Sequence, residues 1–436
     1  MLTLAALALA YSPVQDPIVL AELPEDLALE GSRTVFAPGG SAAAVLIPDA
    51  SLQDRMWRLW HDGELGEPYD FIDSLRFSGD GKHLAYRRGK VIETETQRWE
   101  VVLDGRQDGS YTWVGPPALR PDGGEVSYWA GAGVLHDPKS GLPNGVARSS
   151  TGRNGGHYFI VRGGKEDKNR FPSTPERYAP VYRADGKEIA HLALLDDGLY
   201  VVVGKKEYGP YSSASGPVYA PAGKTCGWAG VPRSGRGAIV IGKKEYAEGA
   251  AALGPPAFAG KGRDFAFPTK RDNELVVEYD GDIVGESFGR IGKIALSEDG
   301  KHIAFVGSTS SSTSSVSVSG QTIVLDDMQL IGDEENGGDR VAWSLILDGQ
   351  VISSGWNFIG QPVFSAKGDW LATPVRKGKE WHLLTLRIDK KSVQEGLSEA
   401  FDAVGPPAFQ DDDEIRFGAR RGRELLQIKL PLLQSE

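Results

Sequence analysis

A single cysteine, Cys226, stands in 436 residues, so no disulfide can form within the chain and the redox compartment is left open. Histidine is scarce as well. His61, His83, His136, His157, His191, His302 and His382 are the whole complement, and none has another within four residues, which excludes the His-x-x-x-His ligand pair of a zinc helix. The one Gly-x-Ser-x-Gly run, Gly285-Glu286-Ser287-Phe288-Gly289, is followed by no helical pattern, so it lacks the strand–turn–helix setting that raises a nucleophilic serine. Positive charge is in deficit, 48 Lys and Arg against 59 Asp and Glu, and a net charge of −11 argues against a nucleic-acid partner. Beyond the first ten residues, no apolar run approaches the roughly 20 residues that cross a bilayer as a helix. The acidic run Asp411-Asp412-Asp413-Glu414 lacks the alternating ligands and central glycine of a calcium loop and reads as a solvated hairpin.

What the chain has in abundance is turn-forming residues, 56 glycines and 26 prolines, and a pattern repeated nine times. An apolar anchor is followed by a tight polar turn and then by a small residue between two apolar ones. Phe77-Ser78-Gly79-Asp80-Gly81-Lys82-His83-Leu84-Ala85-Tyr86 shows it in full. In eight copies the anchor and the next apolar core position are seven residues apart: Phe36/Ala43, Phe77/Leu84, Leu119/Val126, Tyr182/Ile189, Tyr219/Cys226, Phe258/Phe265, Leu296/Ile303 and Phe364/Leu371. The ninth, beginning at Phe409, has lost one turn residue. A repeat of about 40 residues marks an array of like units. Short alternating runs broken by turns predict four strands per unit. Asp104-Gly105 closes one hairpin, and Gly115-Pro116-Pro117, Gly254-Pro255-Pro256 and Gly405-Pro406-Pro407 read as breaks between sheets, because proline cannot donate to a ladder.

The second strand of each unit carries large residues on one face (Leu84 and Tyr86; Ile303 and Phe305; Ile415 and Phe417) and small ones on the other (Ala85, Ala190, Ala266, Ala304, Ala372). This suits sheets packed on both faces, a bulky layer against its neighbour's shallow one. The expected fold is all-β, a single β-propeller of four-stranded blades, eight or nine in number, with two smaller rings as the alternative. The last unit lacks a fourth strand, and the stretch from Val19 to Gly31 is predicted to supply it and close the ring.

The runs Phe77 to Tyr86 and Leu296-Ser297-Glu298-Asp299-Gly300-Lys301-His302-Ile303-Ala304-Phe305 resemble the bacterial WD-repeat-like propeller motif of the TolB type, Phe-Ser-Pro-Asp-Gly-Lys-x-Leu-Ala-Tyr. The resemblance spans roughly residues 34 to 430. It implies a propeller and, from the family's frequent location, the bacterial envelope. Such folds serve many tasks, so it assigns no chemistry.

Residues 1–17 read as a truncated signal peptide or an apolar arm, 18–430 as the propeller and 431–436 as a tail. The Ala8-Leu9-Ala10 pattern favours export to the periplasm or medium over the cytoplasm. Two insertions, 131–156 and 307–339, lengthen the loop between second and third strands. Trp129, His136, Arg153, Asp333 and Glu335 lie in or beside them and are the candidate partner-binding residues. His83 and His302, after the turn lysine, are expected to face solvent. His191 and Cys226 occupy core columns and are read as packed residues. No catalytic constellation, metal site or cofactor motif is evident. The expected function is a monomeric, non-enzymatic scaffold binding a protein or peptide, the alternative a glycan- or peptide-cleaving enzyme with a channel-centred site.

Overall fold

The structure is a computed structural model describing residues 17–49, 56–93, 96–133, 156–172, 178–233, 235–250, 252–271, 274–309, 323–324, 341–389, 392–410 and 414–432. Among these residues the only helical turn is Pro38–Gly40, and the remainder is antiparallel strand and turn apart from a parallel pairing of Ala252 and Leu253 with Ile323 and Val324. The signal-peptide reading, the acidic run at 411–413 and most of both insertions lie outside the described residues.

The chain divides into two compact units, Leu20–Pro210 and Tyr211–Glu436, the second also taking Ile18 and Val19. The repeat register comes out as the seven-residue spacing requires. A fixed turn length fixes which residues face each other across a hairpin. Phe77 pairs Leu84, Leu119 pairs Val126, Tyr219 pairs Cys226, Leu296 pairs Ile303 and Phe364 pairs Leu371. The shortened copy keeps the pattern by pairing Phe409 with Ile415.

Packing follows the two layers. In the first unit, Ala44 lies with Leu84 and Tyr86 of the next sheet, and Ala85 with Val126 and Tyr128 of the one after. In the second unit, Ala266 packs with Ile303 and Phe305, Ala304 with Leu371, and Ala372 with Ile415 and Phe417. The alanines at 44, 85, 266, 304 and 372 are all 0% exposed, so each shallow face is filled by its neighbour's bulky one. Also in the second unit, Ile18 and Val19 lie on a strand that neighbours Glu424–Pro431, at the edge of the last sheet.

The prolines act differently from the sequence expectation. Trp113–Val114 and Ala118–Leu119 both pair with Val126–Ala132, so Gly115-Pro116-Pro117 interrupts the first strand of a sheet instead of separating two sheets. Gly360-Gln361-Pro362 does the same between Phe358–Ile359 and Val363–Phe364. The first strand is an edge strand, where a missing N–H costs no ladder bond. Ser215-Gly216-Pro217 is a third case, since Ser213 and Ala214 before it and Val218 and Tyr219 after it all pair with Cys226–Pro232.

The turn motif is a hydrogen-bonded clasp. Ser78 Oγ donates to Asp80 Oδ1 at 2.6 Å and accepts from His83 N at 3.1 Å, while Lys82 N donates to the same carboxylate at 3.2 Å. Ser297, Asp299, Lys301 and His302 repeat it at 2.8, 3.0 and 3.1 Å. In two repeats arginine replaces the serine: Arg120 Nε donates to Asp122 at 2.6 Å, and Arg183 Nε to Asp185 at 2.8 Å. Gly81, at φ +71°, has no room for a Cβ, which would collide with Ser41 Oγ of the preceding repeat.

His83 and His302 are not free on the surface. Each is half-buried, and its Nδ1 lies 2.7 Å from a hairpin aspartate, Asp104 or Asp348, whose other oxygen accepts from Leu84 N or Ile303 N at 2.9 Å. The Asp-Gly turn, with positive φ at both residues, aims the carboxylate back at the strand.

These contacts set a pH dependence. Asp80, Asp185 and Asp299 are held down to about 2, the first and last mainly by hydrogen bonds from Ser78 and Lys301, Asp185 by Arg183. Their folded values lie below the unfolded carboxylate value, so the stability they add is present above pH ~4 and fades towards pH 2. His302 is raised, first by its bond to Asp348, so its contribution is present below pH ~6.5 and is lost as pH rises through the folded value. The destabilisation caused by Asp348→Ala is therefore expected to be larger at pH 6 than at pH 8. Denaturant midpoints of both proteins at the two pH values check it, and an equal loss at both would remove His302 from the account.

His191 works in the opposite sense. It is buried against Trp129 at 5.3 Å, with Nδ1 3.1 Å from the carbonyl of Leu192, and burial pushes its pKa down. The folded state resists protonation that the unfolded chain accepts, so stability is full above pH ~6.5 and declines below it. His191→Leu is expected to flatten that decline between pH 6.5 and 5, read as melting temperature against pH.

Candidate binding site

The second unit carries an open cavity of ≈ 560 Å³. It is built from the same stretch of four repeats, the end of the first strand and the turn after it: Val218–Ala222, Ala257–Gly260, Ile294–Glu298 and Gln361–Ala366 contribute. The anchors Tyr219, Phe258, Leu296 and Phe364 therefore line one space, and small residues such as Ala257, Ala295 and Ala366 keep it open. Three of these first strands are only two residues long before the turn, so the backbone at their edges has few ladder partners.

Few polar groups enter. Gln361 Nε2 donates to Ile294 O at 3.3 Å, tying two sheets together beside the cavity, and Ala222 N donates to Gly260 O at 2.9 Å between two turns. Ser365 is the one hydroxyl-bearing nucleophile type apart from Tyr219. Its Oγ is committed to Asp369 at 2.7 Å and to Trp370 N at 3.1 Å. Glu298 is the only carboxylate in the lining, and no histidine accompanies it, so the lining offers no acid–base pair. The arrangement can grip apolar side chains and peptide groups.

The first unit holds a second cavity, ≈ 390 Å³, of different character. His61, Asp62, Glu64, Glu67, Tyr69, Lys82, Arg88 and Asp104 meet over a floor that includes Leu59, Ile72 and Leu84. Arg88 is held by Glu100 at 2.9 Å and lies 4.5 Å over the Tyr69 ring, and burial pushes the Tyr69 and Tyr86 hydroxyls up.

Neither cavity contains the residues singled out in the sequence. Trp129 sits inside the strand Val126–Ala132, 1% exposed and edge-on to Phe171 at 5.2 Å, so it is a core residue and cannot meet a partner as a surface side chain. Its place beside the insertion on paper hides the alternation that turns it inward. His136, Arg153, Asp333 and Glu335 lie outside the described residues. The cavity residues carried a signal, the anchor position itself, but an anchor reads as core until four of them are seen to share a space.

Among the described residues no group of three His, Cys, Asp or Glu could hold a metal, and no helix is long and apolar enough to cross a membrane. No family model matches the chain, and no curated protein matches it. Among solved structures it is similar to a eukaryotic initiation factor (12% identity, covering 91% of this chain and 96% of that one, TM-score 0.44) and to the Dos1 propeller (11%, 92% and 92%, 0.38). It is also similar to TolB from Acinetobacter baumannii (12%, 93% and 80%, 0.30). At these identities the likeness concerns the fold alone, an all-β one whose solved neighbours include β-propellers.

Proposed function

We propose that this chain is a non-enzymatic binding scaffold, a propeller of eight or nine four-stranded blades closed by the strand that begins at Ile18. It takes an extended peptide segment of a partner protein into the cavity among Tyr219, Phe258, Leu296 and Phe364. The observation that carries this reading is that cavity, lined by four apolar anchors and short edge strands and holding one carboxylate. Burying two apolar side chains there contributes roughly 1.5–3 kcal/mol each, enough for selective binding of a short segment.

Panning a displayed peptide library against the protein tests it. Enriched peptides are expected to lose about tenfold or more in affinity when Ala366, which is exposed at the cavity, becomes tryptophan and fills it, with the melting temperature unchanged. Peptides that bind Ala366→Trp as well as the parent would remove the cavity from the proposal.

The polar cavity of the first unit favours one second reading, cleavage of glycans or peptides by its histidine and carboxylates. Turnover on a panel of both substrate classes, abolished by His61→Ala, is its requirement, and no turnover retires it. Export to the envelope is part of the first reading and is checked by the N-terminal sequence of the mature protein.

A further inference from the structure

Four cations sit at one level of four consecutive sheets in the second unit. Counting the residue opposite the anchor as the first of the second strand, the sixth is Lys270, Ser308, Arg376 and Arg420 in successive sheets. Where the sixth is serine, the residue directly across from it is Arg290. Directly opposed residues of an antiparallel pair share a face. Lys270, Arg290, Arg376 and Arg420 therefore stand at one height and on the same shallow face, and all four are half-buried.

The chain sets acidic partners against the neighbouring level, and at this one it sets none against Lys270, Arg290 or Arg376. The seventh residue is also cationic in three of these sheets, and each time a glutamate is directly opposite: Arg271 with Glu274, Lys377 with Glu380, Arg421 with Glu424. Across from the sixth stand Leu275, Trp381 and Leu425. Among the described residues no ion pair is found at Lys270, Arg290 or Arg376, and the Nε atoms of Arg290 and Arg376 are buried without a hydrogen-bond partner. A buried guanidinium N–H without an acceptor costs free energy that an anion would return. Arg376 is held 5.6 Å over the Trp381 ring, which fixes its plane while leaving its donors to be used.

We infer that Lys270, Arg290, Arg376 and Arg420 form a binding row for an acidic peptide segment, one carboxylate or pair per sheet. Packed sheets lie about 10 Å apart, so the row extends roughly 30 Å, the length of about nine extended residues. A small inorganic anion reaches one or two of these cations. A long nucleic acid would meet the field of a chain carrying −11, whereas a short acidic segment meets mainly the row. The row is at the far end of the second strand from the anchors, so it is separate from the cavity among them.

A fluorescein-labelled peptide of about nine glutamates is the probe, titrated at low and physiological salt. Saturable binding that weakens with salt, and that falls about tenfold or more in Lys270→Ala/Arg290→Gln/Arg376→Gln, supports the row. Arg271→Gln, whose cation is already matched, is expected to leave affinity unchanged, and so is Ala366→Trp, which tests the cavity alone. Should the triple variant misfold, Arg290→Lys/Arg376→Lys keeps the charge and is expected to retain most of the binding while losing the fork-shaped contacts. No binding by the parent, binding that survives the triple variant, or equal competition by inorganic phosphate at matched charge would each overturn the inference.

Discussion

Phe417→Ala is expected to cost about 3–5 kcal/mol of stability, among the largest effects a single truncation can have in this chain. The ring is fully buried on the bulky face of the last sheet, in one cluster with Ala372 of the sheet before it and Phe401, whose ring lies edge-on at 6.0 Å. Removing it leaves a gap in a cluster that also holds Leu426, Ile428 and Leu430 of its own sheet and Trp370 and Leu383 of the neighbour. Strands tied into hairpins on both sides relax little into such a space, so the cavity penalty adds to the lost transfer free energy. The urea midpoint and its slope measure the effect. A loss below about 1 kcal/mol would mean that the two sheets do not depend on that ring to stay together.

The sequence carries this arrangement openly because a hairpin of fixed turn length leaves no choice of register. Phe77 and Leu84 are seven apart, and a pair seven apart with a tight turn between must face each other, as they do. Alternation then sorts Leu84 and Tyr86 from Ala85 without further information. The Gly-Pro-Pro stretches were open to two readings, since proline marks an interrupted ladder whether the gap lies between sheets or within an edge strand. Only the pairing of Trp113 with Gly131 decides. His83 and His302 look like surface residues because the aspartates that hold them, Asp104 and Asp348, are 21 and 46 positions away along the chain.

Sites were harder to see than folds for a related reason. The cavity needs Tyr219, Phe258, Leu296 and Phe364 together, and each is one anchor of a different repeat, with nothing in its own neighbourhood to separate it from Phe36 or Phe77. The cation row is the converse case. Lys270, Arg376 and Arg420 are visible as soon as the strands are counted from the anchor, and what distinguishes them from Arg271 or Lys377 is the residue across the strand, a leucine or tryptophan in place of glutamate, whereas Arg290 is found only through its pairing with Ser308.

Ala372→Leu tests the shallow half of the same interlock and is expected to be nearly as damaging, about 1–3 kcal/mol or more. Ala372 is 0% exposed and lies between Val363 and Thr385 on its own sheet, so a longer side chain has nowhere to go except towards the bulky layer of the last sheet. On an ordinary half-exposed strand the same change would be neutral or helpful, because leucine has more apolar surface to bury than alanine. A large loss here therefore reports the closeness of the neighbouring sheet. The two substitutions also share a space, since Ala372 and Phe417 belong to one cluster. Leucine at 372 adds volume where alanine at 417 removes it, so Ala372→Leu/Phe417→Ala is expected to be more stable than the sum of the single losses allows, by about 1 kcal/mol or more. Strict additivity would show that the small residue and the large one occupy separate pockets, and that the alternation along the second strand reflects each sheet's own needs and not the fit between neighbours.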